Sequence, residues 1–418
     1  MSILIRDVLL DGKPRNILIE GREIVSLDAR EEADEVIDGR KKAAIPGLIN
    51  THTHAAMSLF RGYADDMLLH DWLRNKIWPL EENLKPEHIY WGTKLACLEM
   101  IKSGTTCFND MYFFMEEAAR AAADIGIRAV LSEGFADLMN PDLGKERFRS
   151  SVQLVEAVRS LNDDRVIPAL GPHALYTVSP ESLQMISDYS EKEGLLVHFH
   201  LSETEEEVNR CVERHGKRPV EFLDEIGFLS DRLVAAHSVW LNKKEIEILE
   251  RREVKISHNP VSNMKLAVGR AIPYGEMKEA GLIVSLGTDG CASNNSLDMF
   301  ETMKFAALYQ KAFTGDPTIL PAQDVMTLAT VNGAQTLGID AGSIAPGMLA
   351  DIALIDLRAP QLNPAHNLVS DIVYSANGCC VDTVICDGKI LMQDRRVEEE
   401  DQILEKATEM SADLVSRE

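Results

Sequence analysis

Two histidine pairs are the residues of this chain best suited to chemistry. His52 and His54 end one apolar run, and His198 and His200 lie in another, each pair separated by one residue. In a β-strand, residues two apart project to the same side, so the imidazoles of each pair point the same way. Paired imidazoles suit Zn²⁺ and related divalent ions. We therefore predict a metal site, with His200 as a ligand and His198 as a deeper, structural residue.

Other metal-competent residues follow further apolar runs. His173 comes directly after Gly-Pro, His237 ends the run 233–237, and Asp289 follows the run that begins at residue 283. Together with the histidine pairs they suggest one ligand set with a position left for water. The predicted metal ligands are His52, His54, His200 and Asp289. A bound metal ion lowers the pKa of its water towards ~7 and makes hydroxide available at neutral pH.

One divalent ion per chain is expected. A binuclear barrel site of this kind needs a bridging lysine carbamate or carboxylate near the end of the fourth strand, and residues 168–171 contain neither Lys nor Glu. Histidine and carboxylate donors suit Zn²⁺ best, and Fe²⁺ or Mn²⁺ remain alternatives.

Glu203 is the predicted proton donor. It lies on the loop just after His200, too close along the chain to reach the same ion easily, and is placed to donate a proton to the substrate. Asp289 is able to accept the proton of the metal-bound water, so two carboxylates in different surroundings divide acid and base work. The alternative for Glu203 is a solvated loop residue beside the acidic run 205–207.

The elements that must position these residues alternate between short apolar runs and helical stretches. Such alternation is typical of parallel strands joined by crossover helices. The eight candidate strands are 48–54, 105–110, 128–132, 166–171, 195–201, 233–237, 254–258 and 283–289. Eight is the number that closes a (β/α)8 TIM barrel, whose chemistry sits at the carboxyl ends of the strands. An open doubly wound sheet would need a glycine-rich phosphate loop, and the sequence has none.

Both ends of the chain resemble antiparallel sheet. Alternating runs at 2–8, 15–20 and 23–28 are separated by Asp-Gly and Glu-Gly turns, and runs at 351–356, 383–386 and 389–392 follow the barrel. We predict one small β-sandwich domain built from residues 1–46 and 346–418, around a metal-dependent barrel at 47–345. The last stretch, 398–418, is expected to be an exposed acidic amphipathic helix.

Composition narrows the classes of partner. The 418 residues are 45% hydrophobic and 26% charged, with a net charge of −24, which disfavours nucleic acid and anionic membranes because both reward clustered Lys and Arg. No basic leader, long apolar segment or C-x-x-C motif occurs, and the seven cysteines are scattered. We expect a cytoplasmic enzyme with reduced thiols and a small-molecule substrate, and expect its copies to associate as a homo-oligomer.

Several motifs resemble those of the amidohydrolase superfamily over essentially the whole chain. They lie at 46–54, 200–203, 257–263, 287–290 and 346–351. Within the superfamily the chain most resembles the 5'-deoxyadenosine, methylthioadenosine and S-adenosylhomocysteine deaminases. The segments that carry this narrower resemblance are 57–62, 77–81, 108–112 and 171–173.

The resemblance implies a metal-dependent hydrolase that acts on carbon–nitrogen bonds of cyclic amidines. It would convert adenosine-type nucleosides (5'-deoxyadenosine, methylthioadenosine, S-adenosylhomocysteine or adenosine) to inosine-type products and ammonia, by attack of a metal-bound hydroxide. It implies that Glu81 accepts the ribose hydroxyls, that Glu203 protonates the purine ring and that His237 steadies the attacking hydroxide. The implied catalytic residues are Glu203, His237 and Asp289, and the implied substrate contacts are Glu81, His173, Glu203 and Asp289.

Alternatives remain open at this stage. The same machinery serves guanine or cytosine deamination and triazine chlorohydrolysis, and a metal-binding protein without catalysis is a further possibility. Leu175 stands where the family usually has proline and borders the substrate loop. Arg147 and Arg149 lie in the region where some relatives hold a charged 5' tail, and the sequence does not decide whether either contacts one. The preferred 5' substituent is also left open.

Overall fold

The computed structural model describes residues 1–30, 32–67 and 69–416. Its strands are β1 (Ser2–Leu10), β2 (Lys13–Glu20), β3 (Glu23–Ser26), β4 (Glu35–Asp38), β5 (Lys42–Pro46), β6 (Leu48–Thr53), β7 (Thr105–Tyr112), β8 (Arg128–Phe135), β9 (Val166–Pro172), β10 (Leu196–Leu201), β11 (Leu233–His237), β12 (Lys255–His258), β13 (Val284–Leu286), β14 (Ile352–Asp356), β15 (Val381–Cys386) and β16 (Lys389–Met392).

The α-helices are α1 (Leu69–Trp72), α2 (Trp78–Glu81), α3 (Pro86–Lys102), α4 (Met115–Ile125), α5 (Pro141–Ser160), α6 (Pro180–Glu193), α7 (Glu205–His215), α8 (Pro219–Glu225), α9 (Lys243–Arg251), α10 (Pro260–Lys265), α11 (Tyr274–Ala280), α12 (Cys291–Asn294), α13 (Met299–Thr314), α14 (Ala322–Ala329), α15 (Val331–Leu337), α16 (Leu368–Tyr374) and α17 (Glu400–Val415). Short 3-10 turns lie at Ala55–Phe60, Pro360–Leu362 and Gly378–Cys380, and one π-helical turn lies at Leu73–Ile77. None of the described helices is long and apolar enough to cross a membrane.

The barrel contains the eight parallel strands that the sequence predicts. Strands β6 to β13 pair in consecutive order, each with the next along the chain. The first and last strands approach each other where the Asp289 N–H donates to the carbonyl oxygen of His52 at 2.9 Å. Strands β6 and β7 are buried at every position, because the interior packs against one face and helices cover the other. The (β/α)8 architecture is confirmed.

The second predicted module is also present, and its strands come from both chain ends. Strands β16, β15, β14, β5, β1, β2 and β3 follow one another in a single mixed sheet, and β4 pairs with β1. A cluster of aliphatic side chains, mostly isoleucines, forms its core. The chain passes from this sheet to the barrel between β5 and β6, at Gly47, and the domain limits 1–46, 47–345 and 346–418 remain our proposal.

A buried ion cluster joins the two sheets. Arg128, at the start of barrel strand β8, donates to Asp387 at 2.9 Å and to Asp351 at 3.3 Å. All three side chains are almost completely buried. Because a buried charge is tolerated only when it is paired, this cluster fixes how the terminal sheet sits on the barrel.

The C-terminal helix differs from the exposed helix that the sequence predicts. Helix α17 buries Ile403, Ala407 and Leu414 and packs along α3 of the barrel. The Ser411 hydroxyl donates to the carbonyl oxygen of Leu59, in the turn that follows β6. The apolar stripe was visible in the sequence, but its partner helix lies some three hundred residues away along the chain.

Candidate metal centre and substrate cavity

The carboxyl ends of three barrel strands bring the predicted ligands together. His54 Nε2 lies 3.4 Å from His200 Nε2 and 3.4 Å from Asp289 Oδ1. His52 Nε2 lies 3.4 Å from the same Asp289 oxygen and has no hydrogen-bond partner, although it is buried. The four side chains therefore converge on one point, as the sequence predicts for this set.

These separations match the space that a metal ion requires. An ion held about 2.1 Å from four tetrahedral ligands places the ligand atoms ~3.4 Å apart. Hydrogen-bonded pairs would lie closer, at about 2.7–3.2 Å. The orphaned nitrogen of His52 and the spacing of the set both fit a divalent ion. The described residues form two candidate ligand groups that share His52. One adds His54 and His200, and the other adds His237 and Asp289.

Each proposed histidine ligand is oriented through its other ring nitrogen. The Nδ1–H groups of His54 and His200 donate to the carbonyl oxygens of Met111 (2.6 Å) and His173 (2.8 Å). His52 Nδ1 lies 2.6 Å from Nε2 of His198. With these tautomers all three Nε2 lone pairs face the centre, as metal-bound histidines require.

Burial keeps four imidazoles of the site neutral, those of His52, His173, His198 and His200. Desolvation lowers the pKa of His52 to about 4 and that of His173 to about 4. It also lowers the pKa of His200 and His198 well below the usual value, and the neighbouring imidazoles add to the effect. A neutral imidazole is the form that binds a metal ion, so the site is ready at neutral pH without losing protons.

Asp289 is held as a carboxylate. Its Oδ2 accepts the Ser262 hydroxyl at 2.6 Å, and its Oδ1 accepts the Gly290 N–H at 2.7 Å. Burial raises the pKa of Asp289, but the nearby His52 and His54 outweigh burial and hold it well below the usual value. The side chain is therefore ionised and presents Oδ1 to the proposed ion.

Glu203 and His237 lie beside the ligands. His237 donates from Nδ1 to the Asn263 side-chain oxygen at 2.8 Å, which directs Nε2 into the site, and Glu203 Oε1 lies 3.8 Å from that Nδ1. Burial lowers the pKa of His237, but the carboxylates of Glu203 and Asp289 outweigh burial, so that the net shift is upward. A carboxyl and an imidazole thus stand ready next to one reaction position.

Glu81 reaches the site from a helical segment that covers the barrel mouth. It ends α2, and its Oε1 accepts the Tyr112 hydroxyl at 2.7 Å. Tyr112 ends barrel strand β7 and is almost completely buried, so this bond ties the covering segment to the barrel. Burial raises the pKa of Glu81, and the Tyr112 hydroxyl opposes that rise. The second carboxylate oxygen is left for a ligand.

His173 and its loop form another wall. His173 Nδ1 lies 2.9 Å from the Thr177 hydroxyl, and its ring lies against His200 with centroids 4.8 Å apart. Leu175, the departure from the family pattern, is buried and is not among the described residues that line the cavity. His173, Tyr176 and Thr177 are the residues of this loop that line the cavity.

A cavity of about 240 Å³ encloses these groups. Its polar floor is formed by His54, Glu81, His173, His200, Glu203, His237 and Asp289. The rest of its wall is largely apolar and is formed by Met57, Trp72, Leu73, Trp78, Met111, Phe113, Phe135, Leu138 and Leu266. Among the described lining residues there is no Lys or Arg. Arg147 and Arg149 are exposed on α5 and do not line it.

Four supporting residues were not assigned a site role from the sequence. Ser262 and Asn263 lie in the 257–263 motif, which the resemblance singled out without giving a role to either side chain. Tyr112 lies in the 108–112 motif in the same way. The sequence predicts His198 to be a structural residue of the interior. Its contact with His52 orients that proposed ligand.

We predict that His198→Phe weakens metal binding about 10- to 100-fold, because His52 loses the acceptor that sets its tautomer. A chelator competition on the folded protein measures this affinity. His366→Phe, at an exposed position outside the cavity, is the matched control. Equal affinities for the two variants would contradict the role given to His198.

Comparisons with known proteins agree with this geometry. The amidohydrolase family model matches residues 43–391. A 5'-deoxyadenosine deaminase of Methanoregula boonei is 51% identical, with 100% of this chain and 96% of that protein covered. A 5-methylthioadenosine/S-adenosylhomocysteine deaminase of Archaeoglobus fulgidus is 52% identical, with 96% and 95% covered. A zinc-bound adenosine deaminase of Xanthomonas campestris superposes with a TM-score of 0.93 at 32% identity, with 99% and 98% covered. The chain belongs to the amidohydrolase family.

Proposed function

We propose that the protein hydrolytically deaminates adenosine-type nucleosides to inosine-type nucleosides and ammonia. The observation that carries this proposal is one cavity lined by three of the four proposed ligands, His54, His200 and Asp289, and also by the carboxyl groups of Glu203 and Glu81. The names of the full-length relatives support the same reaction.

Substrate binding follows from the two ends of the cavity. An ionised carboxylate accepts several hydrogen bonds, and Glu81 has one oxygen engaged by Tyr112 and the other open. The vicinal hydroxyls of a ribose supply the two donors that such a group needs. With the ribose at Glu81, the purine extends towards Glu203 and Asp289, so that C6 lies at the proposed ligands.

The ligand set would hold Zn²⁺, which lowers the pKa of a water that it binds and so makes a nucleophile available at neutral pH. The zinc-bound structural relative supports this choice of metal. The three imidazole donors and the single ionised carboxylate of the set match the donor preferences of zinc.

The protein's own groups manage the protons. Glu203 protonates N1 as the water oxygen forms its bond to C6, which relieves the negative charge on the ring. Asp289 accepts a proton from that water, while His237, protonated on both ring nitrogens, donates a hydrogen bond from Nε2 to its oxygen. Asp289 then protonates the amine, the C6–N bond breaks and ammonia leaves. The C6 hydroxyl proton restores Glu203, so each group ends as it began.

The cavity wall favours an uncharged 5' group. Trp72, Trp78 and Leu138 are apolar, and a homocysteinyl tail would bring an ammonium and a carboxylate into surroundings without described Lys or Arg partners. Burying unpaired charge is costly. We therefore rank 5'-deoxyadenosine and methylthioadenosine ahead of S-adenosylhomocysteine as substrates.

Ammonia release by the zinc-loaded protein tests the proposal. The panel contains 5'-deoxyadenosine, methylthioadenosine, S-adenosylhomocysteine, adenosine, adenine, guanine and cytosine. We expect ammonia release from the nucleosides, faster from 5'-deoxyadenosine and methylthioadenosine than from S-adenosylhomocysteine. A chelator should abolish the activity. Release only from a free base would replace the proposal with a nucleobase deaminase, and no release from any compound by metal-loaded protein would refute it.

Glu203→Gln should retain the metal and lose about 10²- to 10⁴-fold in kcat, because the amide has no acidic proton to give to N1. Metal content and steady-state kinetics are measured together. Glu205→Gln, two residues further on at an exposed position, is the matched control. Unchanged turnover in Glu203→Gln would exclude Glu203 as the proton donor.

Glu81→Ala should lower kcat/KM for 5'-deoxyadenosine by ~10-fold or more, because hydrogen bonds to a charged group contribute about 1.5–3 kcal/mol each. For 2',3',5'-trideoxyadenosine, which lacks the diol, the same variant should cost little. The exposed neighbour Glu82 supplies the control Glu82→Ala. Equal losses on both substrates would mean that Glu81 does not bind the ribose.

A further inference from the structure

A second buried glutamate lies directly behind the proposed proton donor. Glu207 accepts the Ser202 N–H on Oε1 and the Glu203 N–H on Oε2, both at 2.8 Å. Its side chain is buried, and it is not among the residues that line the cavity. Both carboxylate oxygens are thus used on the backbone of the loop that follows His200.

This arrangement exceeds what the helix itself needs. Helix α7 begins at Glu205, and its N-cap Thr204 already accepts the Glu207 N–H. In an ordinary capping box the glutamate at this helical position reaches back to the N-cap N–H. Here the Glu207 carboxylate reaches past the N-cap and accepts the N–H groups of the two residues before it, Ser202 and Glu203. Burial raises the pKa of Glu207 to about 7, although the two N–H donors oppose that rise. Keeping a carboxylate in this place therefore costs desolvation free energy.

The loop that Glu207 holds has a conformation that needs support. Ser202 has a φ of 49°, in the left-handed region that side chains other than glycine rarely adopt. The Ser202 carbonyl oxygen accepts the N–H groups of Val239 and Trp240 at 3.1 and 2.9 Å. Those residues belong to the loop after His237. The peptide between Ser202 and Glu203 is therefore hydrogen-bonded on both sides, through its N–H to the Glu207 carboxylate and through its carbonyl oxygen to the neighbouring loop.

We propose that Glu207 is a positioning residue for catalysis: its carboxylate fixes the Ser202–Glu203 backbone so that the Glu203 carboxyl meets the purine nitrogen. This inference rests on the proposed deamination, in which Glu203 is the proton donor. Small displacements of a reacting group cost large factors in rate, up to about 10²-fold for 1 Å. Glu207→Gln presents an NH₂ group to one backbone N–H, so one of the two bonds is lost and the loop shifts.

The test is a double-mutant cycle on the zinc-loaded protein. We expect Glu207→Gln to lower kcat about 10- to 100-fold while KM and metal content stay close to the wild-type values. In a Glu203→Gln background the same change should cost less than about 3-fold, because there is no proton donor left to position. The matched control Glu205→Gln lies in the same first helical turn but is exposed, and should leave kcat unchanged.

The outcomes separate the two proposals. An equal loss from Glu207→Gln in both backgrounds, or no loss in the wild-type background, would overturn the positioning role while leaving the deaminase intact. If the wild-type protein releases no ammonia, the proposed function itself fails. Should Glu207→Gln not fold, Glu207→Asp serves in the same cycle, since its shorter carboxylate does not span both N–H groups.

Discussion

Four proposed ligand atoms from three distant parts of the chain must point their lone pairs at one place to hold a metal ion, and much of the architecture meets this requirement. Each donor is held from behind: His54 and His200 by carbonyl oxygens, His52 by His198 and Asp289 by Ser262. Without those outer bonds the imidazoles would rotate or change tautomer. The ~3.4 Å spacing of the donors would then collapse into ordinary hydrogen bonds.

The same requirement explains where the backbone departs from regular conformation. Ser202, His237, Ser238 and Asp289 all have positive φ and all lie at or just beyond the carboxyl ends of strands. Conformations of this kind cost about 1–3 kcal/mol each and persist only where the surroundings enforce them. In this protein, interlocking bonds between neighbouring loops enforce them, and they turn the chain so that chemical groups face the barrel mouth.

Polarity divides the cavity into a reacting floor and an apolar cover. The floor holds His173 and His200, which burial keeps neutral, next to the ionised Asp289 and two further carboxyls, so proton transfer is possible between groups with different tasks. The cover, from Trp72 to Trp78, is tied to the barrel by the Glu81–Tyr112 bond. The proposed ribose acceptor and part of the apolar wall therefore belong to the same short helical segment.

The sequence by itself determined the barrel, the terminal sheet and the main ligand candidates. Periodicity two in 51–54 and 197–201, and the fixed position of catalytic groups at strand ends, are local properties that a single chain displays. Only the tertiary structure decided which side chains hydrogen-bond to these candidate site residues and orient them. Tyr112, His198 and Glu207 act through partners up to 146 residues away or through backbone turned by left-handed φ values, and no local pattern encodes such pairings. For the same reason, the sequence predicted an exposed α17. Only the tertiary structure shows that α17 packs against α3.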